Sequence, residues 1–205
     1  MKSIKQYLLP SLLVYSRTEA RKKIAFVRTH YPHNWVHIDV MDGKFVPNTC
    51  WCTPADYASL KIKNPQEIHL MVKNPEKQIN AWKKAGAKRI VFHAEATNKS
   101  AALITAIRKL GMEAYIAINP PTSPEKLRLL ASKVDGILVM GVHPGRAGQK
   151  FIPHVIQKIK SFRKKYSSLP ITVDGGVTFE NAAILLKSGA TGLVSTSAVY
   201  GKKIT

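Results

Sequence analysis

Short apolar segments alternate along the whole chain with longer segments in which apolar residues recur at helical spacing. The short segments have the length and composition of buried strands, and the longer ones are typical of amphipathic helices. The predicted strands are 7–14, 35–41, 66–72, 89–95, 113–119, 136–142, 171–174 and 192–198. The predicted helices are 17–30, 54–61, 75–85, 98–110, 123–131, 152–166 and 179–188.

This alternation predicts an α/β fold, and both a (β/α)8 TIM barrel and a doubly wound open sheet use it. The polar residues distinguish the two. Strands or their C-terminal ends carry His37, Asp39, His69, His93, Glu95, Asn119, Met140, Asp174 and Ser197. An open sheet would not bring so many strand ends to one point, so we predict a TIM barrel with residues 1–205 as a single domain. Only the segment YGKKIT follows the last strand, so a full C-terminal closing helix is not expected.

The second predicted strand is chemically two-sided. Side chains two residues apart share a face of a strand, so His37, Asp39 and Met41 point the same way. The opposite face is wholly aliphatic. With His69 and Asp174 from two other strands, His37 and Asp39 form a set of two imidazoles and two carboxylates. Such a set suits a divalent transition ion such as Zn, Mn, Fe or Co.

Two further features are expected at the same end of the barrel. Met41, Met71 and Met140 lie beside the polar positions and predict an apolar lid over a reaction intermediate, although methionine also fills gaps in ordinary cores. The segments HPGRAGQ, DGGVTFEN and STSAVY follow strands six and seven and close strand eight. Turns at these places form the usual phosphate pocket of a TIM barrel.

Composition limits the class of protein. Lys and Arg number 32 against 12 Asp and Glu, a formal charge of +20 that attracts phosphorylated metabolites and polyanions. The basic residues are scattered and no nucleic-acid module is recognisable, so specific nucleic-acid binding is not expected. Cys50 and Cys52 lack the further ligands of a closed metal site and are interpreted as loop thiols. Without a long apolar run or a secretory signal, we expect a cytoplasmic protein and no membrane.

The motifs LLPSLLV, HIDVMDGKFVPN, HLMVKNP, VFHAEA, INPPT, VMGVHPGRAGQKFIP, VDGGV and STSAVY occur in this order over nearly the whole chain. In this respect the sequence resembles the ribulose-phosphate 3-epimerase family. The resemblance implies a TIM barrel with a catalytic divalent metal that interconverts D-ribulose 5-phosphate and D-xylulose 5-phosphate in the pentose phosphate pathway. The implied partner is therefore a small ketose phosphate.

The resemblance also implies the roles of individual residues. Asp39 and Asp174 would be the two acid/base groups, and His37, Asp39, His69 and Asp174 would bind the metal. The implied substrate-binding residues are Ser11, Met41, His69, Met71, Met140, Gly145, Ala147, Gly148, Gly175, Gly176 and Ser197.

Several positions depart from the usual family pattern. Val14 occupies a position where the family usually has a serine, and Ser16 a position where it usually has an aspartate. Arg146 and Ala147 replace a common Phe-Gly pair. Arg146 could approach the phosphate and add a charged contact. Thr196 replaces a glycine, and because threonine resists a positive φ, this predicts an altered phosphate pocket.

Alternative functions stay open at this point. The substrate could be another ketose phosphate, such as allulose 6-phosphate, or the barrel could bind anions or nucleic acid without catalysis. The sequence does not fix the oligomeric state. In a homo-oligomer, a neighbouring copy could cover the side of the barrel beside strands eight and one.

Overall fold

The computed structural model describes residues 4–51, 53–146 and 148–201. Eight parallel strands form a closed barrel in sequence order, in which the last strand pairs with the first. The strands are β1 (Leu8–Leu12), β2 (Val36–Met41), β3 (Gln66–Met71), β4 (Ala87–His93), β5 (Glu113–Ile118), β6 (Gly136–Met140), β7 (Ile171–Asp174) and β8 (Gly192–Ser195). The predicted TIM barrel is confirmed.

The described helices lie between the strands or follow the last one. They are α1 (Arg17–His30), α2 (Pro54–Ser59), α3 (Ile79–Lys84), α4 (Ser100–Lys109), α5 (Val155–Lys165), α6 (Phe179–Lys187) and α7 (Ser197–Tyr200), with 3₁₀ turns at Ile4–Tyr7, Pro75–Lys77 and Pro124–Leu127. In the described part of the chain, only the single turn of α7 follows β8. None of these helices has both the length and the apolar character needed to cross a bilayer.

The prediction of a helix over 123–131 was wrong. A 3₁₀ turn, Pro124–Leu127, stands there and is followed by turns up to the next strand. The leucines of this segment do not share a helical face, because Leu127 is fully buried whereas Leu129 is 70% exposed. Leu127 and Ala131 are buried and Leu130 packs against the core, so the 3₁₀ turn and the turns after it cover the barrel with these residues without forming a longer helix.

The strand residues divide between two environments. Outward-facing side chains such as Ile38, Ile68 and Phe92 are fully buried between the barrel and the helices. Inward-facing apolar residues form smaller clusters, one of which contains Val91, Tyr115 and other residues of the barrel interior. This alternation places polar side chains inside the barrel while the outer face supplies the main core.

Caps fix where the helices begin near the C-terminal ends of the strands. The Ser16 hydroxyl accepts from the backbone N–H of Glu19 at 3.1 Å and starts α1. Thr178 and Asn181 form a capping box at the start of α6, and the Asn181 side chain also donates to the carbonyl of Gly176 at 2.8 Å. The loop after β7 is therefore anchored to the helix that follows it.

Candidate active site

Strand register brings the predicted metal ligands together. Asp39 on β2 pairs with His69 on β3, and His37 is the neighbour of Ser11 on β1. Asp174 ends β7 and projects toward the same point. The two faces predicted for β2 are confirmed, since the aliphatic residues pack outward and the polar ones point inward.

The donor atoms of the four residues form a compact group. His37 Nε2 lies 3.2 Å from His69 Nδ1, 3.3 Å from Asp39 Oδ1 and 3.5 Å from Asp174 Oδ2. His69 Nδ1 lies 3.2 Å from Asp39 Oδ1 and 3.3 Å from Asp174 Oδ2. A tetrahedron with metal–ligand bonds of about 2.0–2.1 Å has edges of about 3.3 Å. These five separations therefore fit a group that can hold a metal ion, and all four donor atoms lie within 4.8 Å of one another.

The electrostatics of the group match this arrangement. Burial alone would raise the pKa of Asp39, but the charge of His37 and hydrogen bonds from His37 and His69 hold it well below its usual value. The pKa of Asp174 is lowered by the same two histidines against the effect of burial. Both carboxyl groups therefore favour the ionised form, which is the form that binds cations.

A cavity of about 730 Å³ opens above this group. Asp39 and Asp174 line it, with side chains 8% and 13% exposed, whereas the His37 and His69 side chains are fully buried beneath it. Nine of the predicted substrate-binding residues line the cavity: Ser11, Met41, Met71, Met140, Gly145, Gly148, Gly175, Gly176 and Ser197. Ala147 and Cys52 lie outside the described residues.

The turns after β6, β7 and β8 form one wall of the cavity. Gly175 and Gly176 have φ values of +95° and +67°, which other residues rarely adopt. A Cβ on Gly176 would lie 2.6 Å from the backbone of Phe151, so this glycine also permits the close approach of two loops. Ser197 donates from its hydroxyl to the carbonyl of Val177 at 3.2 Å.

Thr196 lies in a backbone region that threonine readily adopts. Its φ is −90° and its ψ is −51°, in the right-handed region that any residue can occupy. Thr196 therefore occupies this position without backbone strain, and the altered phosphate pocket expected from this departure stays a prediction. Thr196 and Arg146 both line the cavity, so each departure changes the side chains at the wall.

Met41, Met71 and Met140, which are the residues of the expected lid, line the cavity. Met41 and Met71 pack with Leu13 and Val46 in a small apolar cluster beside the cavity. The loop after β2 contacts the loop after β6, because the Asn48 side chain donates to the carbonyl of Gly145 at 2.7 Å. These two loops are thus joined beside the small apolar cluster, where Gly145 lies next to Val46.

Residues 7–200 match the model of the Ribulose-phosphate 3 epimerase family. The chain belongs to this family. Curated relatives named ribulose-phosphate 3-epimerase include the protein of Mycobacterium bovis, which is 36% identical over 82% of this chain and 76% of its own length. That of Schizosaccharomyces pombe is 34% identical over 94% and 86%. A rice relative named as the cytoplasmic isoform is 37% identical over 82% and 76%.

Solved structures with the same architecture include a mutant tryptophan synthase α-subunit from Pyrococcus furiosus. The TM-score is 0.70 and the match covers 97% of this chain and 93% of the other, at 15% identity. A likeness at this level of identity shows the shared barrel. Membership of the epimerase family rests on the sequence matches.

The epimerase barrel also contains buried polar residues for which the sequence predicts no role at the site. Glu67 is fully buried on β3 and contacts His37, and Arg89 on β4 contacts Glu67. The sequence does contain a signal for Glu67. This residue stands two positions before His69 and therefore shares its face of β3. His93, which the sequence predicts at the polar ends of the strands but without a role, is fully buried against His69.

Proposed function

We propose that this family member is a metal-dependent epimerase that inverts carbon 3 of a ketose phosphate, with D-ribulose 5-phosphate and D-xylulose 5-phosphate as the substrate pair. The observation that carries the proposal is the pair of carboxylates, Asp39 on β2 and Asp174 on β7, that face one cavity above two buried histidines. Inversion at carbon requires one group to remove a proton and another to return one on the opposite face. Asp39 and Asp174, which come from different strands, would take these two parts. A cytoplasmic location, which the rice relative's name states for that protein, is part of the proposal.

The four clustered residues would hold the metal. The close packing of two carboxylates and two imidazoles fits a divalent transition ion such as Zn, Mn, Fe or Co. When bound, such an ion supplies positive charge next to the substrate oxygens on which negative charge develops after the proton is lost. The buried histidines keep their donor atoms in place from below, while the aspartates reach the substrate side.

The aspartates move the proton. In one direction Asp39 accepts the proton of carbon 3, which lies next to the carbonyl carbon, and the electron pair of the C–H bond becomes part of an enediolate. Asp174, which carries a proton at this stage, donates it to carbon 3 from the other face and becomes a carboxylate. Exchange with solvent then removes the proton from Asp39 and returns one to Asp174, so that both residues regain their starting states. In the reverse direction the two residues exchange roles.

The walls of the cavity would bind the rest of the substrate. Met41, Met71 and Met140 present apolar surface that limits access of water to the enediolate. The turns that contain Gly145, Gly175 and other glycines offer backbone N–H groups for the phosphate. Ser197 adds a hydroxyl and Arg146 a guanidinium at the same wall.

The proposal is tested by a ribulose 5-phosphate epimerisation assay in deuterated water, with and without removal of the metal. We expect deuterium at carbon 3 of the product, loss of turnover on chelation, and recovery when a divalent ion is returned. Asp39→Asn and Asp174→Asn should each abolish turnover, because an amide cannot carry the proton. Asp135→Asn is the matched control, since that carboxylate pairs with Arg108 on the surface.

The assay also separates the alternatives. Faster turnover of allulose 6-phosphate than of ribulose 5-phosphate would mean that the proposed reaction is right but that the substrate is a different ketose phosphate. Absence of turnover with every ketose phosphate, in protein loaded with each of the four metals, would favour a barrel that binds anions without catalysis. Near-normal activity of Asp174→Asn would remove Asp174 from the mechanism.

A further inference from the structure

Each of the two histidines in the metal-binding group has a second ring nitrogen that points away from it. Nδ1 of His37 lies 2.6 Å from Oε1 of Glu67. Nε2 of His69 lies 2.8 Å from Nε2 of His93. All four of these side chains are fully buried, so water does not compete for the contacts. The two histidines therefore present opposite ring atoms to the group and have chemically different partners behind them.

Glu67 determines the tautomer of His37. The second carboxylate oxygen of Glu67 accepts from Arg89 Nη1 at 2.7 Å, so Glu67 forms a buried ion pair and only accepts hydrogen bonds. His37 must then carry its proton on Nδ1. When a metal takes the place of the proton on Nε2 of His37, the lone pair of that atom faces Asp39 and His69, which is the orientation that a metal ligand needs.

Arg89 is itself held in place. Its guanidinium lies between the rings of Trp35 and Tyr115, at 3.9 and 4.0 Å from their centroids, and it also pairs with Glu113 at 2.7 Å. A buried carboxylate is costly unless it is paired and hydrogen-bonded. The clamped arginine offsets that cost and fixes the position of Glu67.

His93 has the corresponding place behind His69. For Nδ1 of His69 to offer a lone pair to a metal, the His69 proton must be on Nε2, where the nearest acceptor is Nε2 of His93. The proton of His93 is then on Nδ1, which faces Oε2 of Glu95 at 3.6 Å. Glu95 is held by the Asn119 backbone and the hydroxyl of Thr122.

We infer that Glu67 and His93 are positioning residues of the metal centre, each of which holds one histidine in the tautomer that turns a lone pair toward Asp39 and Asp174. This inference rests on the proposed metal-dependent function. A carboxylate partner raises the basicity of a ligating imidazole, whereas a neutral imidazole partner chiefly orients it. Glu67 should therefore affect metal affinity more than His93 does.

The first test compares Glu67→Gln with Glu113→Gln. Both variants remove a carboxylate from Arg89, but only Glu67 contacts His37. We expect the dissociation constant for Zn²⁺, measured by competition with a chromophoric chelator, to rise about 10–100-fold in Glu67→Gln and to change less than about threefold in Glu113→Gln. The visible spectrum of the Co²⁺-loaded protein should shift only in the first variant. Equal affinities in the wild type and Glu67→Gln, or equal losses in both variants, would overturn the role of Glu67.

The second test concerns His93 and uses rescue. His93→Leu removes the acceptor behind His69 and should weaken Zn²⁺ binding, whereas His93→Gln returns an acceptor oxygen and should recover most of the loss. Failure of glutamine to recover any affinity in a folded variant would assign His93 a packing role only.

Nitrogen NMR of the histidine rings tests the wild type directly, without any substitution. The Zn²⁺-loaded protein should carry a proton on Nδ1 of His37 and on Nε2 of His69, and the opposite tautomer of either ring would overturn the inference. If the wild type binds no divalent ion at these residues, both this inference and the proposed metal-dependent function are overturned. If the wild type binds the ion and all the variants bind it equally well, only the positioning roles are wrong.

Discussion

The hydroxyl of Ser11 donates to Oδ2 of Asp39 at 2.8 Å, while Oδ1 of the same carboxylate faces the two histidines at 3.2 and 3.3 Å. The two oxygens of Asp39 thus have separate partners, and the hydrogen bond prevents rotation of the carboxylate out of the group. Ser11 also lines the cavity, as expected of a substrate-binding residue. Its contact with Asp39 gives it a second effect that the sequence did not predict.

Ser11→Ala should therefore lower kcat more than it changes KM. A hydrogen bond to a charged group is worth about 1.5–3 kcal/mol, so we expect kcat to fall about 10–100-fold. Ser197→Ala is the control, because its hydroxyl lines the same cavity and bonds to a backbone carbonyl. If Ser197 binds phosphate, that variant should raise KM and leave kcat nearly unchanged. Steady-state kinetics of both variants measure the difference, and an unchanged kcat in Ser11→Ala would contradict it.

The barrel and its polar end could be predicted because the alternation along each strand is a local property. His37 and Asp39 share a face by spacing alone, and the aliphatic residues between them identify the side that packs outward. The order of the strands then follows from the preference for right-handed crossovers between parallel strands.

The remaining features depend on contacts between distant segments. Glu67 looks like an ordinary polar residue of a strand until Arg89, from the next strand, is placed beside it. The segment 123–131 contains three leucines and reads as a helix, but only tertiary packing decides that Leu129 faces solvent. Thr196 departs from the family pattern, yet its backbone proves unstrained, which no property of the residue itself could indicate.

The glycines of the phosphate wall should respond differently to alanine. At Gly176 an added Cβ would lie 2.6 Å from the Phe151 backbone, whereas at Gly148 it would meet nothing within 4 Å. Both have positive φ values, so each substitution carries a backbone cost of about 1 kcal/mol. Gly176→Ala should lower the free energy of unfolding by a further 1–3 kcal/mol, on the order of other overpacked sites.

Urea unfolding of the two alanine variants measures this difference. Gly148→Ala should remain folded. A raised KM in that variant would indicate that the added methyl group keeps the backbone N–H groups away from the phosphate. Equal stability of Gly148→Ala and Gly176→Ala would contradict the close packing of the loop after β7 against Phe151.

Arg146 should contribute to substrate capture. Its side chain is exposed and lines the cavity, so its charge is screened by salt but acts at the wall expected to bind phosphate. Arg146→Ala should raise KM about two- to fivefold at low ionic strength, as expected for an exposed charge contact of up to about 1 kcal/mol. The difference should shrink at 1 M salt, where the Debye length falls to about 3 Å.

The control for Arg146 is Arg128→Ala, which removes one exposed positive charge from the segment between β5 and β6. If the general positive charge of the chain attracted the substrate, both variants would raise KM to the same extent. A change confined to Arg146→Ala assigns the effect to the cavity wall.

Glu95 should make the stability of the protein depend on pH. Burial raises the pKa of its carboxyl group, but the imidazole of His93, the hydroxyl of Thr122 and the backbone N–H of Asn119 outweigh burial and lower the pKa from 4.5 to about 2. Because the pKa is lower in the folded state than in the unfolded state, the stabilisation is present above pH 4.5 and is lost as the pH falls toward 2. Glu95→Gln should therefore lower the free energy of unfolding by on the order of 2–3 kcal/mol at pH 7 and by little near pH 2.

Urea unfolding of wild type and Glu95→Gln across this pH range measures the effect as a difference, so the titration of other carboxyl groups cancels. Glu125→Gln is the control, since its side chain is 68% exposed and pairs with Lys165 at the surface. That variant should change the free energy of unfolding by less than about 1 kcal/mol at any pH. A destabilisation in Glu95→Gln that stays the same from pH 7 to pH 2 would mean that the carboxylate charge contributes nothing and that Glu95 acts through its shape alone.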